Sequence, residues 1–303
     1  MQVLWEDLMR QNVIHVAFHS VCESKDAGFG DPWCTPDRLK AVLEYLLSHN
    51  WQIMTCEEFI GHDAIGLDPQ RKYATISFDD GYRDSITVAA PILVRYGAKA
   101  TFFIITSVLS GILPLSARIK VFLSKFAPDI TLDEQWEIRR RLIPLFEWAA
   151  GYTQSGNKRF SDFCRDGRLN EDEIAQRYYV SVVGIRELVK LGMEVGSHTD
   201  THPMLTNIPL FQADREIGLS TVALYGATFT GTKSLGPRSF CWPYGMWECD
   251  DQNKLFDLVR STGYTSGWGY HALPVAVRED PRWAIARIDE AAFEEALGIP
   301  PLS

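Results

Sequence analysis

A chain of 303 residues, 46% of them hydrophobic, can bury a full-size core, and one large barrel would use all of it. The formal net charge of -9 and the pI near 5.3 argue against nucleic acid or an anionic membrane as a partner engaged through bulk charge, because such surfaces need a basic footprint. Near the start, Glu6 and Asp7 interrupt any secretory h-region, and no later stretch approaches the roughly 18 apolar residues of a spanning helix, so a cytoplasmic protein with no transmembrane segment is expected. Cys22, Cys34, Cys56, Cys164, Cys241 and Cys249 show no CxxC spacing, which fits reduced thiols better than a disulfide framework.

In chain order, short apolar or β-branched runs alternate with helix-like stretches, the trace of repeated βα units. Residues 13–18 predict a first strand that runs out at Phe18 and leaves His19 on its C-terminal rim. Residues 36–49 predict a helix with Leu39, Val42, Leu43, Leu46 and Leu47 on one face and Thr35 as its N-cap. The next strand, 74–78, ends in Asp79-Asp80-Gly81, which puts two carboxylates at a strand's C-terminal edge, where a barrel gathers its reactive groups. Successive strand residues point to opposite sides, but Gly81 permits a sharp turn, so both acids can face one mouth. The alternative is that Asp79 caps the following helix, 83–96, and that Asp80 is solvated.

After a strand at 100–105 the rhythm changes. Residues 106–179 read as a helical insertion, with helices at 116–126, 132–150 and 170–179, because a structureless loop of that length is improbable inside a compact domain. Following a strand's C-terminal end, it is expected to cover the mouth and select the substrate. Its Arg118, Lys120, Lys125 and Arg139-Arg140-Arg141 offer a phosphate site, against the ordinary reading of a solvated charged face.

The alternation resumes with a helix at 181–190 and a strand at 193–197 that runs into His198-Thr199-Asp200-Thr201-His202. Histidines four apart aim at one point across a single turn, and joined to the carboxylate pair they suggest a two-histidine, one-carboxylate metal site with open positions. A helix at 211–225, a strand at 239–242, a helix at 251–262 and strands at 264–268 and 284–288 complete the pattern. Trp242, Trp247 and Trp268 lie near the predicted mouth, either to stack on a sugar ring or simply to pack in the core. His15, His49 and His62 have no partner in the pattern and read as structural or surface residues.

Ser77-Phe78-Asp79-Asp80-Gly81, then Ser197-His198-Thr199-Asp200-Thr201-His202-Pro203, then Phe240-Cys241-Trp242-Pro243-Tyr244-Gly245 resemble the successive signature motifs of the polysaccharide deacetylases, the NodB-homology domains of carbohydrate esterase family 4. Ala100-Thr101-Phe102-Phe103-Ile104 is similar to the strand after the first motif, and the resemblance runs from Val13 to Ile288. It implies an α/β fold, a distorted (β/α)7 barrel carrying the helical insertion as one domain. It also implies that Asp79 is the general base and that Asp80, His198 and His202 hold a divalent metal, zinc first, with cobalt, nickel, manganese or iron also suited. Pro243-Tyr244-Gly245 would line the acyl pocket, with the Tyr244 backbone N–H facing the developing oxyanion.

Two departures stand out. Where family members often carry an arginine that tethers the base, this chain has Cys241; Arg287 is the candidate substitute, since a guanidinium can grip a carboxylate with two bonds, unless it is an ordinary surface arginine. The usual Leu-x-His near the C-terminus is missing, the closest sequence being Ala284-Ile285-Ala286-Arg287-Ile288. His19 is the candidate acid in its place, because Phe18-His19-Ser20-Val21 resembles the Tyr-His segment of a permuted subset that also tolerates a small residue at the Cys241 position; His271 is the rival. The expected activity is removal of an N-acyl group, N-acetyl first, from a nucleotide- or lipid-linked amino sugar in cell-surface polysaccharide or lipopolysaccharide assembly. Removal of formyl, or a sugar-binding barrel without turnover, are the alternatives, and retention of Asp79 beside the ligand trio speaks against the second.

Overall fold

The computed structural model describes residues 12–24, 29–30, 32–126, 170–229, 236–270, 281–283 and 285–289. Ten strands lie among them: β1 (Val13–Phe18), β2 (Ser20–Val21), β3 (Trp33–Cys34), β4 (Trp51–Met54), β5 (Lys72–Phe78), β6 (Thr101–Ile104), β7 (Glu194–Ser197), β8 (Ser239–Cys241), β9 (Ser266–Tyr270) and β10 (Ile285–Asp289). The described α-helices are α1 (Pro36–Ser48), α2 (Cys56–Ile65), α3 (Ala90–Arg95), α4 (Leu115–Phe126), α5 (Glu171–Tyr178), α6 (Val182–Lys190), α7 (Leu210–Ala227) and α8 (Gln252–Ser261). Of the expected features, helix 132–150, Arg139-Arg140-Arg141, Cys164, His271 and the Lys125 side chain lie outside the described residues.

The seven strands read from the sequence close into a parallel ring in the order β1-β10-β9-β8-β7-β6-β5, and β5 pairs back to β1 from Val13↔Tyr73 to Phe18↔Phe78. This is the distorted (β/α)7 barrel. Part of its distortion sits on β5, whose other edge is shared: β4 pairs with residues 72–75 and β6 with 77–78. Strand β4 and helix α2 are additions to the expected order. The strand is only four residues long and alternates buried Trp51 with exposed Gln52, too short for a period to show. The helix buries only Cys56, Phe59 and Ile60, yet its capping box, Thr55 with Glu58, is a start signal readable in sequence.

Strand alternation sorts the core into two layers. Ile14, Val16 and Phe18 of β1, Ala74, Ile76 and Phe78 of β5, and Phe102 and Ile104 of β6 face the helices, where they meet Leu39, Val42, Leu43 and Leu46 of α1, and Ile185 and Leu188 of α6. Burial of each large apolar side chain contributes about 1.5–3 kcal/mol. Leu47 does not share that face: it is 40% exposed, because the helix stripe turns away from the barrel there. The opposite phase, His15 and His19, Thr75 and Asp79, Cys241, and Arg287, turns into the barrel. His15 is one of its structural members, bonded to Thr75 Oγ1 at 3.0 Å and edge-on to Phe59 and Trp268, with burial first and then the Arg287 charge holding it down to about 3.

Candidate metal centre and base at the barrel rim

Asp79 follows the last residue of β5, and its N–H donates to the carbonyl of Phe18 at 2.9 Å, which keeps it in the inward phase beside the end of β1. The chain then turns through two left-handed residues, Asp80 (φ 67°) and Gly81 (φ 71°), so that Asp80 also faces the mouth. Gly81 suits this left-handed φ, and a Cβ there would lie only 3.2 Å from the Ile104 side chain, which would have to give by a few tenths of an ångström.

Arg287 reaches Asp79 from β10, two strands round the ring from β5. Its Nη1 donates to Oδ1 and its Nη2 to Oδ2, both at 2.7 Å, while Nη1 also meets Ser77 Oγ at 2.9 Å and Nη2 meets Cys241 Sγ at 2.9 Å. The guanidinium is buried between the rings of Tyr270 and Phe103, 4.7 and 5.3 Å from their centroids. Burial pushes the Asp79 carboxyl up, but the charge and hydrogen bonds of Arg287 outweigh it and hold the group below its usual range.

The two histidines come from the turn after β7. His198 is held by its own N–H on Ile104 O at 3.0 Å, and its ring Nδ1 lies 2.9 Å from Cys241 O; a carbonyl only accepts, so Nδ1 carries the proton and Nε2 is directed to the mouth. Thr199 (φ 65°) and His202 (φ 63°) are left-handed, and the His202 N–H is caught by Thr199 Oγ1 at 3.0 Å. Four of the six described non-glycine residues with positive φ, Asp80, Thr199, His202 and Tyr244, therefore gather at this rim, where strain is tolerated because the surroundings hold the turns.

Asp80 Oδ1 lies 3.5 Å from Nε2 of each histidine, and the two Nε2 atoms are 3.1 Å apart. A tetrahedral divalent ion with bonds of about 2.0–2.2 Å holds its ligands about 3.3–3.6 Å apart, so the two 3.5 Å separations match, the 3.1 Å one needs only a slightly narrowed angle, and the donor types suit such an ion. Two imidazole nitrogens this close also need a positive centre between them, a proton or a cation. Burial opposes charge on both rings; Cys241 and Asp80 outweigh it at His198 and push that group well up, whereas burial and then the His198 charge drive His202 down to about 3. For Asp80, burial raises the carboxyl, but His198 and His202 outweigh it and hold it well down. The neighbouring group Asp79, His198 and Cys241 has metal-like spacing but does not fit a cation, because the Arg287 guanidinium already sits against the carboxylate and the sulfur.

His19 stands on the same rim. Its ring stacks on Tyr270 at 5.8 Å, its Nδ1 is buried with no hydrogen-bond partner among the described residues, and its charge reaches both Asp79 and Asp80. Asp84 anchors the next residues, accepting from Ser20 Oγ and from the Val21 N–H at 3.2 Å. Pro243–Gly245 forms a single tight turn, with Tyr244 left-handed (φ 58°) and its ring 4.6 Å from that of His202. Gly245 lets this turn press on β9, since a Cβ there would lie 2.5 Å from Tyr270 N.

Where the sequence left a choice between binding and packing, the structure shows packing. Trp242 is fully buried, donates Nε1 to Trp283 O at 2.9 Å and packs on Phe240 and Phe256, so it offers no face to a sugar; Trp247 and Trp268 are buried as well. Arg118 is buried on Glu171 at 3.0 Å and Lys120 donates to Phe29 O at 2.6 Å, so neither is set out for a phosphate. Two contributors escaped the sequence reading. Tyr270 lies between His19 and Arg287 with nothing local to mark it. Glu216 had a signal, a lone carboxylate between Ala213 and Ile217 on the buried face of α7.

A family model described as polysaccharide deacetylase matches residues 66–118 and 169–267, just over half of the chain. YxkH of Bacillus subtilis (strain 168), which carries the name of the same family, is 36% identical over 66 residues, covering 22% of this chain and only 24% of that relative. Among solved structures, a de-N-acetylase from Aggregatibacter actinomycetemcomitans superposes with a TM-score of 0.61 at 16% identity, over 94% of this chain and 99% of that one. IcaB from Ammonifex degensii gives 0.60 at 15% identity over 95% and 96%. The Streptococcus pyogenes deacetylase PplD in complex with acetate gives 0.59 at 16% identity over 91% of each chain. At these identities the structural likeness is one of fold.

Proposed function

Because this chain belongs to the polysaccharide deacetylase family, we propose that it hydrolyses the N-acetyl group of an amino sugar with a divalent metal held by Asp80, His198 and His202. The observation that carries this reading is the pairing of that trio with Asp79, an ionised carboxylate fixed on both oxygens by Arg287 within one strand-end turn. Bound there, a divalent ion supplies Lewis-acid polarisation of the acyl carbonyl and lowers the pKa of water. Asp79 accepts the proton of the attacking water; a carboxylate has about four lone-pair sites, and the Arg287 fork occupies two of them. Arg287 thereby fixes the orientation of the base, the tether that Cys241 cannot provide. The Tyr244 backbone N–H, carried on its left-handed turn, faces the developing oxyanion, and Pro243 and Tyr244 wall the acyl group. His19, across the rim, gives a proton to the leaving amine, without which a neutral amide would expel a poor anionic nitrogen.

The substrate we infer is a lipid- or nucleotide-linked amino sugar, a precursor in cell-surface polysaccharide or lipopolysaccharide assembly. None of the described helices is long and apolar enough to cross a membrane. The test is acetate and formate release from nucleotide-linked, lipid-linked and polymeric N-acylated amino sugars, with metal analysis of the same samples. Release of neither acid from any of them, with metal bound, rejects the reading; formate alone makes the enzyme a deformylase.

His19→Ala is expected to lower kcat by roughly 10² to 10⁴ with metal still bound. His271→Ala is the comparison. Full activity of the first variant and collapse of the second would transfer the acid role.

A further inference from the structure

The turn that carries His198 and His202 has an unusual need. Its residues leave β7 and bend through left-handed Thr199 and His202, so the N–H groups of Asp200 and Thr201 find no strand partner, and half-buried backbone donors need an acceptor. They are met from behind by one side chain of α7. Glu216 Oε2 accepts from the Asp200 N–H at 3.1 Å and from the Thr201 N–H at 2.7 Å, and its Oε1 accepts from Thr201 Oγ1 at 2.7 Å. One helical turn further along, Ser220 Oγ lies 2.6 Å from Ser197 Oγ, which in turn accepts the Thr199 N–H at 3.3 Å. Both ends of the turn are thus pinned to a single helix.

Glu216 is 7% exposed, between core residues Ala213 and Ile217. A carboxylate on a buried helix face is costly unless its hydrogen bonds are made, and an apolar residue would pack there without that cost. We propose that Glu216 is a positioning residue for metal binding: by accepting the Asp200 and Thr201 N–H groups it holds the turn that sets His198 Nε2 and His202 Nε2 at the spacing a divalent cation requires. It does so through the turn, since all its hydrogen bonds to the turn are with Asp200 and Thr201. The inference rests on the metal site proposed above. Partners of this kind, one layer behind the ligands, typically change metal affinity by 10–100-fold. Burial pushes the Glu216 carboxyl up to about 7, against the downward pull of its donors, so a neutral group of the same shape can take its place.

The experiment measures Zn²⁺ affinity by competition with a chromophoric chelator for the whole protein and for Glu216→Gln, Glu216→Asp, Glu216→Ala and His198→Ala, with circular dichroism and urea midpoints beside each. Gln presents an amide oxygen to the two N–H groups and its NH₂ to the Thr201 hydroxyl, and is expected within about threefold of the parent, whereas Asp, one methylene too short, and Ala lose roughly 10–100-fold. Added Zn²⁺ should restore turnover in folded Glu216→Asp, which a merely structural loss would not allow. Should Glu216→Ala fail to fold, the comparison of Asp with Gln decides. Parental affinity in Glu216→Asp, with affinity lost in His198→Ala, overturns the role of Glu216, and so does failure of Gln to restore it. Parental affinity in His198→Ala overturns the metal site itself.

Discussion

Asp80→Ala, His198→Ala and His202→Ala are each expected to lose bound metal and activity together. The argument is geometric: the three donor atoms lie 3.1–3.5 Å apart, each at a vertex the others leave open, and no other described carboxylate or imidazole group of metal-like spacing can replace one of them. Asp79 is the nearest substitute, yet both its oxygens are engaged by Arg287. Loss of one ligand from three should therefore weaken binding by more than the roughly 10–100-fold that a supporting partner contributes. Metal content after dialysis, read against turnover in the same sample, checks this. Unchanged metal in all three variants would sink the site assignment, whatever happens to activity.

Much of this site follows from period two. Once 13–18, 74–78 and 193–197 are read as strands, the phases that bury Val16 and Phe18, and Ile76 and Phe78, also decide that His19 and Asp79 turn inward at one rim. The histidine pair is legible for a similar reason, since four residues span a single turn. What period cannot supply is the meeting of distant strands. Arg287 and Asp79 are 208 residues apart, and their contact depends on ring closure, which sets β10 beside β1 and β1 beside β5. Pattern also leaves Trp242 open: a tryptophan within a motif fits a binding ring or the core, and only its N–H bond to Trp283 O decides for the core. Strand β4 is invisible because four residues hold no measurable period, and Glu216 becomes meaningful only when the turn it supports is seen.

Asp79→Asn should separate chemistry from metal binding. Asparagine keeps the shape of the side chain but accepts no proton, so kcat is expected to fall by roughly 10² to 10⁴ while metal content stays at the parental level, because Asp79 contributes nothing to the trio. The same change has a second, independent effect. Arg287 is 1% exposed and is gripped by both Asp79 oxygens, so the variant leaves a buried cation facing a neutral amide, which costs about 3–5 kcal/mol of stability. The two effects can be told apart by removing the cation as well. Asp79→Asn combined with Arg287→Met should recover most of the lost stability, since a buried pair replaced whole is close to neutral, but none of the turnover. Urea unfolding at fixed pH reads the first quantity and acetate release reads the second. Parental turnover in the single variant removes Asp79 from the mechanism, and a double variant no more stable than the single one shows that the Arg287–Asp79 pair is not what the fold depends on at this rim.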